Sequence, residues 1–155
     1  MENDSREMMK LANQVCFPLY AAARSVVGLY TPFLKPLGLT YTQYLVLLIL
    51  WEKDGITVGE ICDRLMLDNG TVSPLLKKMQ QAGHVEKKRS EEDDRVVIVT
   101  LTDEGRALQE KAREVPKKVG QCIDLEPDKV RYLYSLLYAL IDSNKNRKQM
   151  TVEGK

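Results

Sequence analysis

The chain has 155 residues, within the roughly 100 to 200 of a typical domain, and 44% are apolar, enough to build a core. Lysine and arginine total 23 against 22 for aspartate and glutamate, a formal charge of +1, which excludes holding nucleic acid by bulk charge alone. The longest apolar run, Tyr44 to Trp51, is eight residues, far short of the roughly 20 that span a bilayer, so no membrane partner is expected. The start, Met1-Glu2-Asn3-Asp4, is acidic where a secretory signal would be basic and then apolar, so a cytoplasmic location, where thiols stay reduced, is expected.

In chain order, Arg6 to about Tyr30 carries Met8, Leu11, Ala12, Val15, Leu19, Ala22, Ala23 and Val26 at the spacing of one broad helical face. Pro18 falls inside that pattern and predicts a kink. Thr31-Pro32 and Pro36-Leu37-Gly38 predict a turn-rich piece. Thr40 then caps a helix to about Lys53, ended by Asp54-Gly55, whose interior from Tyr44 to Trp51 reads as central core. Thr57-Val58-Gly59-Glu60 has the capping-box pattern, with Val58, Ile61, Cys62 and Leu65 on one face of a short helix. Asp68-Asn69-Gly70-Thr71 opens another to about Ala82, with Val72, Leu75, Leu76 and Met79 inward, Pro74 in an early turn and Gly83 closing it. Two short helices joined by about three residues read as a helix-turn-helix.

From Val85 the pattern becomes that of a hairpin. Val85 to Arg89 and Val96 to Leu101 flank a charged tip, Ser90 to Arg95, and this reads as the wing of a winged helix. Thr102-Asp103-Glu104-Gly105 caps a predicted helix of about twenty residues ending near Cys122, bent at Pro116. Pro127 opens a last helix with a stripe of Val130, Leu133, Tyr134, Leu137, Leu140 and Ile141, and the final dozen polar residues are expected to fray. The fold class expected is mainly α with a small β-wing, divided as residues 1–39, a winged helix-turn-helix over 40–102, and C-terminal helices and tail over 103–155.

Lys77, Lys78, Lys87, Lys88 and Arg89 stand against Glu86 alone, a local charge of +4 in thirteen residues. The second helix of such a motif presents its N-terminal half to base edges, which here offers Asn69, Thr71 and Ser73, with Lys77 and Lys78 placed for phosphates. Arg95, at a tip that carries four acids, fits insertion into a narrow minor groove with Asp93 positioning it. The plain alternative is a solvated basic helix face and an exposed turn. The order of capped helix, turn, helix and basic hairpin favours double-stranded DNA, read as an inverted repeat if the chain pairs two-fold.

Three cysteines, Cys16, Cys62 and Cys122, lie 46 and 60 residues apart. An odd count without a CxxC pair fits neither a disulfide framework nor a dithiol motif, and one histidine, His84, gives no ordinary zinc spacing. No metal or cofactor is expected. Cys16 reads from periodicity as a small buried hydrophobe, and Cys62 as core on the stripe of Val58, Ile61 and Leu65. His84 reads as a helix-end residue, and Trp51 and Met79 as core.

Residues 40 to 105 resemble the DNA-binding core of the MarR family, through Leu67-Asp68-Asn69-Gly70-Thr71-Val72-Ser73-Pro74-Leu75-Leu76-Lys77-Lys78-Met79, Asp93-Asp94-Arg95 and Leu101-Thr102-Asp103-Glu104-Gly105. Asn13-Gln14-Val15-Cys16-Phe17-Pro18-Leu19-Tyr20 and Leu39-Thr40-Tyr41-Thr42-Gln43-Tyr44-Leu45-Val46-Leu47 resemble the organic-hydroperoxide-sensing (OhrR-type) repressors within it. The resemblance implies an obligate homodimer with interlocked first and last helices. It also implies a redox-sensing Cys16 beside Tyr30 and Tyr41 contributed across the dimer, with Tyr20 one turn on. A phenol hydroxyl donated to sulfur favours the thiolate that attacks an organic hydroperoxide, the inducer. The sulfenic acid formed would condense with Cys122, which lies one residue from where two-cysteine members carry a resolving thiol, or with a low-molecular-weight cellular thiol. Two other functions stand beside this one: a repressor released by a non-covalent lipophilic or phenolic ligand with Cys16 merely buried, and a thiol peroxidase, against which stand the absent CxxC and the plain helix-turn-helix.

Overall fold

The computed structural model describes residues 7–153, with side chains through residue 144. It divides into two compact units, residues 1–120 and 121–155, which are taken in turn. The expected start of the first helix at Arg6 and the acidic leader before it lie outside the described residues.

The first unit begins with a 3-10 turn, Leu11–Asn13, before helix α1, Cys16–Leu34. The long helix expected from the N-terminus is therefore interrupted, and Pro18 makes no kink. It is the third residue of α1, where backbone amides have no intrahelical acceptor and a missing N–H costs nothing. Thr31-Pro32 does not end α1 either. Leu34 is 1% exposed, and its burial carries the helix through Pro32 to the 3-10 turn Lys35–Leu37, closed by left-handed Gly38.

Helix α2, Tyr41–Glu52, starts at a complete capping box: Gln43 N–H donates to Thr40 Oγ1 and Thr40 N–H donates to Gln43 Oε1. Six of its residues, including Val46, Leu47 and Leu50, are buried, which makes it the centre of the core. Asp54 then does more than end a helix. One carboxylate oxygen accepts the N–H of Gly55 and of Leu101, both at 2.9 Å, and the other pairs with Arg106 at 2.6 Å, tying the α2 exit to the wing and to the next helix.

Helix α3, Val58–Leu65, carries the predicted Thr57/Glu60 capping box. Helix α4, Asn69–Gln81, is capped by Asp68 and followed by left-handed Gly83. Between them Met66 adopts φ 56°, a conformation that normally falls to glycine, while Leu67 N–H closes onto Cys62 O at 3.0 Å. The wing strands are β2, Val85–Arg89, and β3, Val97–Leu101, antiparallel with Val85 opposite Leu101. A further strand, β1, Ile56–Thr57, carries no sequence signal and pairs with β3 to complete a three-stranded sheet in the order β1-β3-β2. Two residues are too few to show a period.

The twenty-residue helix expected after Thr102 is two helices, α5, Asp103–Ala112, and α6, Val115–Gln121. The break precedes Pro116, whose ring crowds the carbonyl of Ala112 and whose missing N–H is harmless in the first turn of α6. In the second unit α7, Pro127–Glu153, begins at Pro127 as predicted. Val130, Leu133, Tyr134 and Leu140 of its apolar stripe are exposed, as are Leu136 and Tyr138 beside it. No single helix among the described residues is long and apolar enough to cross a membrane.

Candidate nucleic-acid interface and redox site

The reading head is built from α3, α4 and the β2–β3 wing. Val72, Leu76 and Met79 point α4 inward with no exposure, which leaves Asn69, Thr71, Ser73, Lys77 and Lys78 on its outer side. Their local bonding is not uniform. Ser73 Oγ donates to Asn69 Oδ1 at 2.6 Å, whereas the Thr71 hydroxyl and amide both donate to Asp68. Those two donors hold the Asp68 carboxyl below its ordinary range. Thr71 thus serves the cap of α4 as well as its outer face.

Strand alternation separates the wing's basic residues. Lys87 and Arg89 share a face of β2, and Lys88 lies on the other with Glu86, 3.8 Å away. Arg89 Nη1 donates to Asp94 O at 2.9 Å and so braces the wing tip from below. At the tip, Asp93 Oδ1 accepts both the backbone N–H of Arg95 at 2.9 Å and its Nε at 3.2 Å, while 92% of the Arg95 side chain stays open to solvent. The pairing is what a side chain projected for insertion needs: a fixed base and a free guanidinium edge.

Cys62 is not core. It is half-buried and lines a groove of about 640 Å³ with Asp63, Asn69, Ser73 and Arg95. Its thiol is pushed up from 9.0, first by burial and then by the charges of Asp63 and Asp68. Met79 is fully buried, as expected, and His84 is more than a helix-end residue: it is 7% exposed, its N–H donates to Met79 O and its Nδ1 is buried without a partner.

Cys16 is exposed at the first residue of α1, and Tyr20, one turn on, is 62% exposed, so neither is buried by its own chain. Tyr30 and Tyr41 do meet, with ring centroids 4.7 Å apart. Tyr30 lies fourteen residues beyond Cys16 on the same helix, roughly 21 Å at 1.5 Å per residue, so within one chain the thiol and this pair are apart. Sequence reasoning missed Tyr44, which joins the cluster at 6.0 Å from Tyr30. The signal was present: Tyr41 and Tyr44 are three residues apart on one helix face. Burial, and then the neighbouring phenols, raise the pKa of both Tyr41 and Tyr44, so these two hydroxyls stay neutral. In the second unit Cys122 is exposed. Among the described residues no group of three or more histidine, cysteine or acidic side chains is placed to hold a metal ion.

Comparison with known proteins bears on what this geometry serves. Residues 28–112 match the family model described as transcriptional regulator SarA/Rot. Over 143 residues the chain is 43% identical to the organic hydroperoxide resistance transcriptional regulator of Bacillus subtilis, covering 92% of this chain and 97% of that protein. Among solved structures it is similar to reduced AbfR bound to DNA, a Staphylococcus epidermidis protein, with TM-score 0.73, 37% identity and coverage of 91% of this chain and 98% of that one. It is also similar to disulfide-formed AbfR, with TM-score 0.61, 39% identity and coverage of 91% and 99%. With its capped helix pair and three-stranded wing, the chain belongs to the SarA/Rot- and MarR-type winged-helix regulators, which are DNA-binding transcription factors and not enzymes.

Proposed function

We propose that this chain is a cytoplasmic, homodimeric repressor that holds an inverted-repeat operator when reduced and releases it when an organic hydroperoxide oxidises Cys16. The observation that carries this is the 43% identity, over nearly the whole chain, to a regulator named for organic hydroperoxide resistance. The exposed Cys16 and the Tyr30–Tyr41 pair support it. In the dimer, residues 1–39 and 103–155 form the interface, and the separation of Cys16 from the tyrosines within one chain is closed by the partner subunit. Asn69, Thr71 and Ser73 face base edges, Lys77, Lys78, Lys87 and Lys88 face phosphates, Arg95 enters the minor groove on the base that Asp93 provides, and Arg89 keeps the tip in shape.

The chemistry balances without a cofactor. The Cys16 thiolate forms an S–O bond as the peroxide O–O bond breaks, the departing alkoxide takes a proton to become an alcohol, and sulfur becomes a sulfenic acid. Condensation with Cys122 of the partner subunit, or with a small thiol, then forms a disulfide and releases water.

The test is an operator gel shift with reduced protein, then with one equivalent of cumene hydroperoxide, then with excess dithiothreitol. Release followed by rebinding is expected, and Cys16→Ser should bind and ignore the peroxide. A second reading has one observation in its favour, a groove of about 430 Å³ between α1 and α2, lined by Val27, Leu34, Leu39 and Tyr41 with Lys35 at its edge. Such a groove suits a lipophilic or phenolic ligand. A Cys16→Ser protein that still released DNA with its inducer would establish that reading instead.

A further inference from the structure

Four aromatic rings run in sequence from α1 to the end of α2. Tyr30 and Tyr41 are 4.7 Å apart, Tyr30 and Tyr44 6.0 Å, and Tyr44 meets Trp51 edge-on at 6.2 Å, two turns along α2. The last ring is not simply core. Trp51 is half-buried, and its indole N–H donates to Gly105 O at 3.0 Å, the third residue of α5. Gly105 in turn lies on the backbone of His84: a Cβ at Gly105 would stand 2.0 Å from His84 O. His84 N–H closes the end of α4 on Met79 O, and His84 O accepts from Thr102 N–H.

We infer that Trp51 is the positioning residue that couples the tyrosine cluster to the reading head. Between Gly105 and His84 the contact is backbone on backbone, so no side chain is present to absorb a displacement of α5 before it reaches the end of α4. Beside Tyr44 and Trp51 a groove of about 400 Å³, bounded also by Leu48, Ala112 and Pro116, gives the indole room to change place. A rearrangement of Tyr30 and Tyr41 repacks Tyr44, moves Trp51, and either drags or releases Gly105. The inference rests on the Cys16 reading proposed above, and it adds the physical element that both the sensor and the DNA face bias.

Trp51 is the only tryptophan in the chain, so the emission of the unsubstituted protein reports this position alone. Cumene hydroperoxide should shift that emission in step with operator release, and Cys16→Ser should abolish both. Trp51→Phe keeps a ring and removes the donor. It should bind the operator within about twofold of the unsubstituted protein when reduced, and form the Cys16 sulfenic acid at the same rate by mass spectrometry. Its loss of operator affinity on oxidation should be smaller by about tenfold, a coupling of ordinary size. Undiminished release by oxidised Trp51→Phe overturns the inference while leaving Cys16 as sensor, and so does release of DNA by the unsubstituted protein with unchanged emission. Failure of the unsubstituted protein to respond to peroxide defeats the Cys16 reading itself and the coupling with it.

Discussion

In α2, six of twelve residues are buried by the chain's own side chains, and in α1 only Leu34 of nineteen is. Along α7, from Pro127 to residue 144, none is. The apolar content does not explain the contrast, because Val15, Phe17, Leu19, Val26 and Val27 of the first helical segment and Val130, Leu133 and Leu140 of α7 are as greasy as anything in α2 yet stand exposed. The reading head closes its core within one chain. The flanking helices carry apolar stripes of ordinary core size, which in the homodimer proposed above are covered by the partner subunit. The head should therefore respond to mutation as a monomeric fold does, and the flanking helices as an interface does.

The largest effect expected inside the head is from Gly105→Ala. The added methyl would stand 2.0 Å from His84 O, 3.1 Å from His84 C and 3.2 Å from a Leu101 methyl, and the nearest of these is backbone that cannot rotate away. A loss of about 3 kcal/mol is expected, the upper end for overpacking, read as a lower urea midpoint with unchanged slope. A midpoint unmoved by this substitution would mean that α5 is not seated on the end of α4. The interface side breaks differently. Leu133→Glu with Leu140→Glu puts two charges on the exposed stripe of α7 and should give monomers in sedimentation that have lost operator binding. The far-ultraviolet circular dichroism and cooperative melting of the head should remain. If the heads unfold with the dimer, their cores are not closed within one chain.

What the sequence made legible divides along the same line. Capping residues act on the nearest turn, so Thr40, Thr57, Asp68 and Thr102 marked the starts of α2, α3, α4 and α5 correctly, and left-handed Gly83 marked the end of α4. The hairpin followed from alternation. The sequence misleads where tertiary packing outweighs local preference: Thr31-Pro32 predicts a turn, but burial of Leu34 draws α1 past it, and Pro116 predicts a bend where α5 and α6 are separate helices. Cys62 shares the stripe of buried Ile61 and packs against the core, but its outer side also lines a groove, because an eight-residue helix buries a narrow face. The contacts of Asp54 with Leu101 and Arg106 and of Trp51 with Gly105 span about fifty residues, and no local pattern encodes them. The positions proposed to face DNA follow from the sequence alone. The structure shows how Asp93 seats Arg95 and how Asp68 engages Thr71.

A smaller effect, of opposite sign, is expected at the turn between α3 and α4. Met66 holds φ 56° in the turn between α3 and α4 with half its surface exposed, so its side chain offers little packing against the strain. Met66→Gly should raise stability by up to about 1 kcal/mol, less the extra entropy glycine has in the unfolded chain. A destabilised Met66→Gly would show that the methionine side chain is part of the head's packing despite its exposure.

The smallest effect expected is electrostatic. Asp68 accepts the Thr71 hydroxyl and amide at the start of α4, which lowers its pKa from 3.8, and Glu60 accepts the Thr57 N–H and pairs with Lys53 at the start of α3, which lowers its own from 4.5. A carboxyl whose pKa is lowered by folding adds stability that is complete above its unfolded value and is lost as pH falls through the folded one. Both contributions should therefore be intact at neutral pH and be lost as pH falls through the lowered folded values of Glu60 and Asp68. Both groups are exposed and screened, so the change is slight and is best read as a difference between variants. Glu60→Gln and Asp68→Asn each keep a side-chain acceptor for the cap while removing the titration, and each should flatten the acid limb of a melting-temperature profile without moving its neutral plateau far. Because Asp68 caps the recognition helix, Asp68→Asn should also leave operator binding nearly unchanged when reduced. A large loss of binding with a small loss of stability would mean that the charge of Asp68, and not its capping geometry, sets how Thr71 and Asn69 meet the DNA.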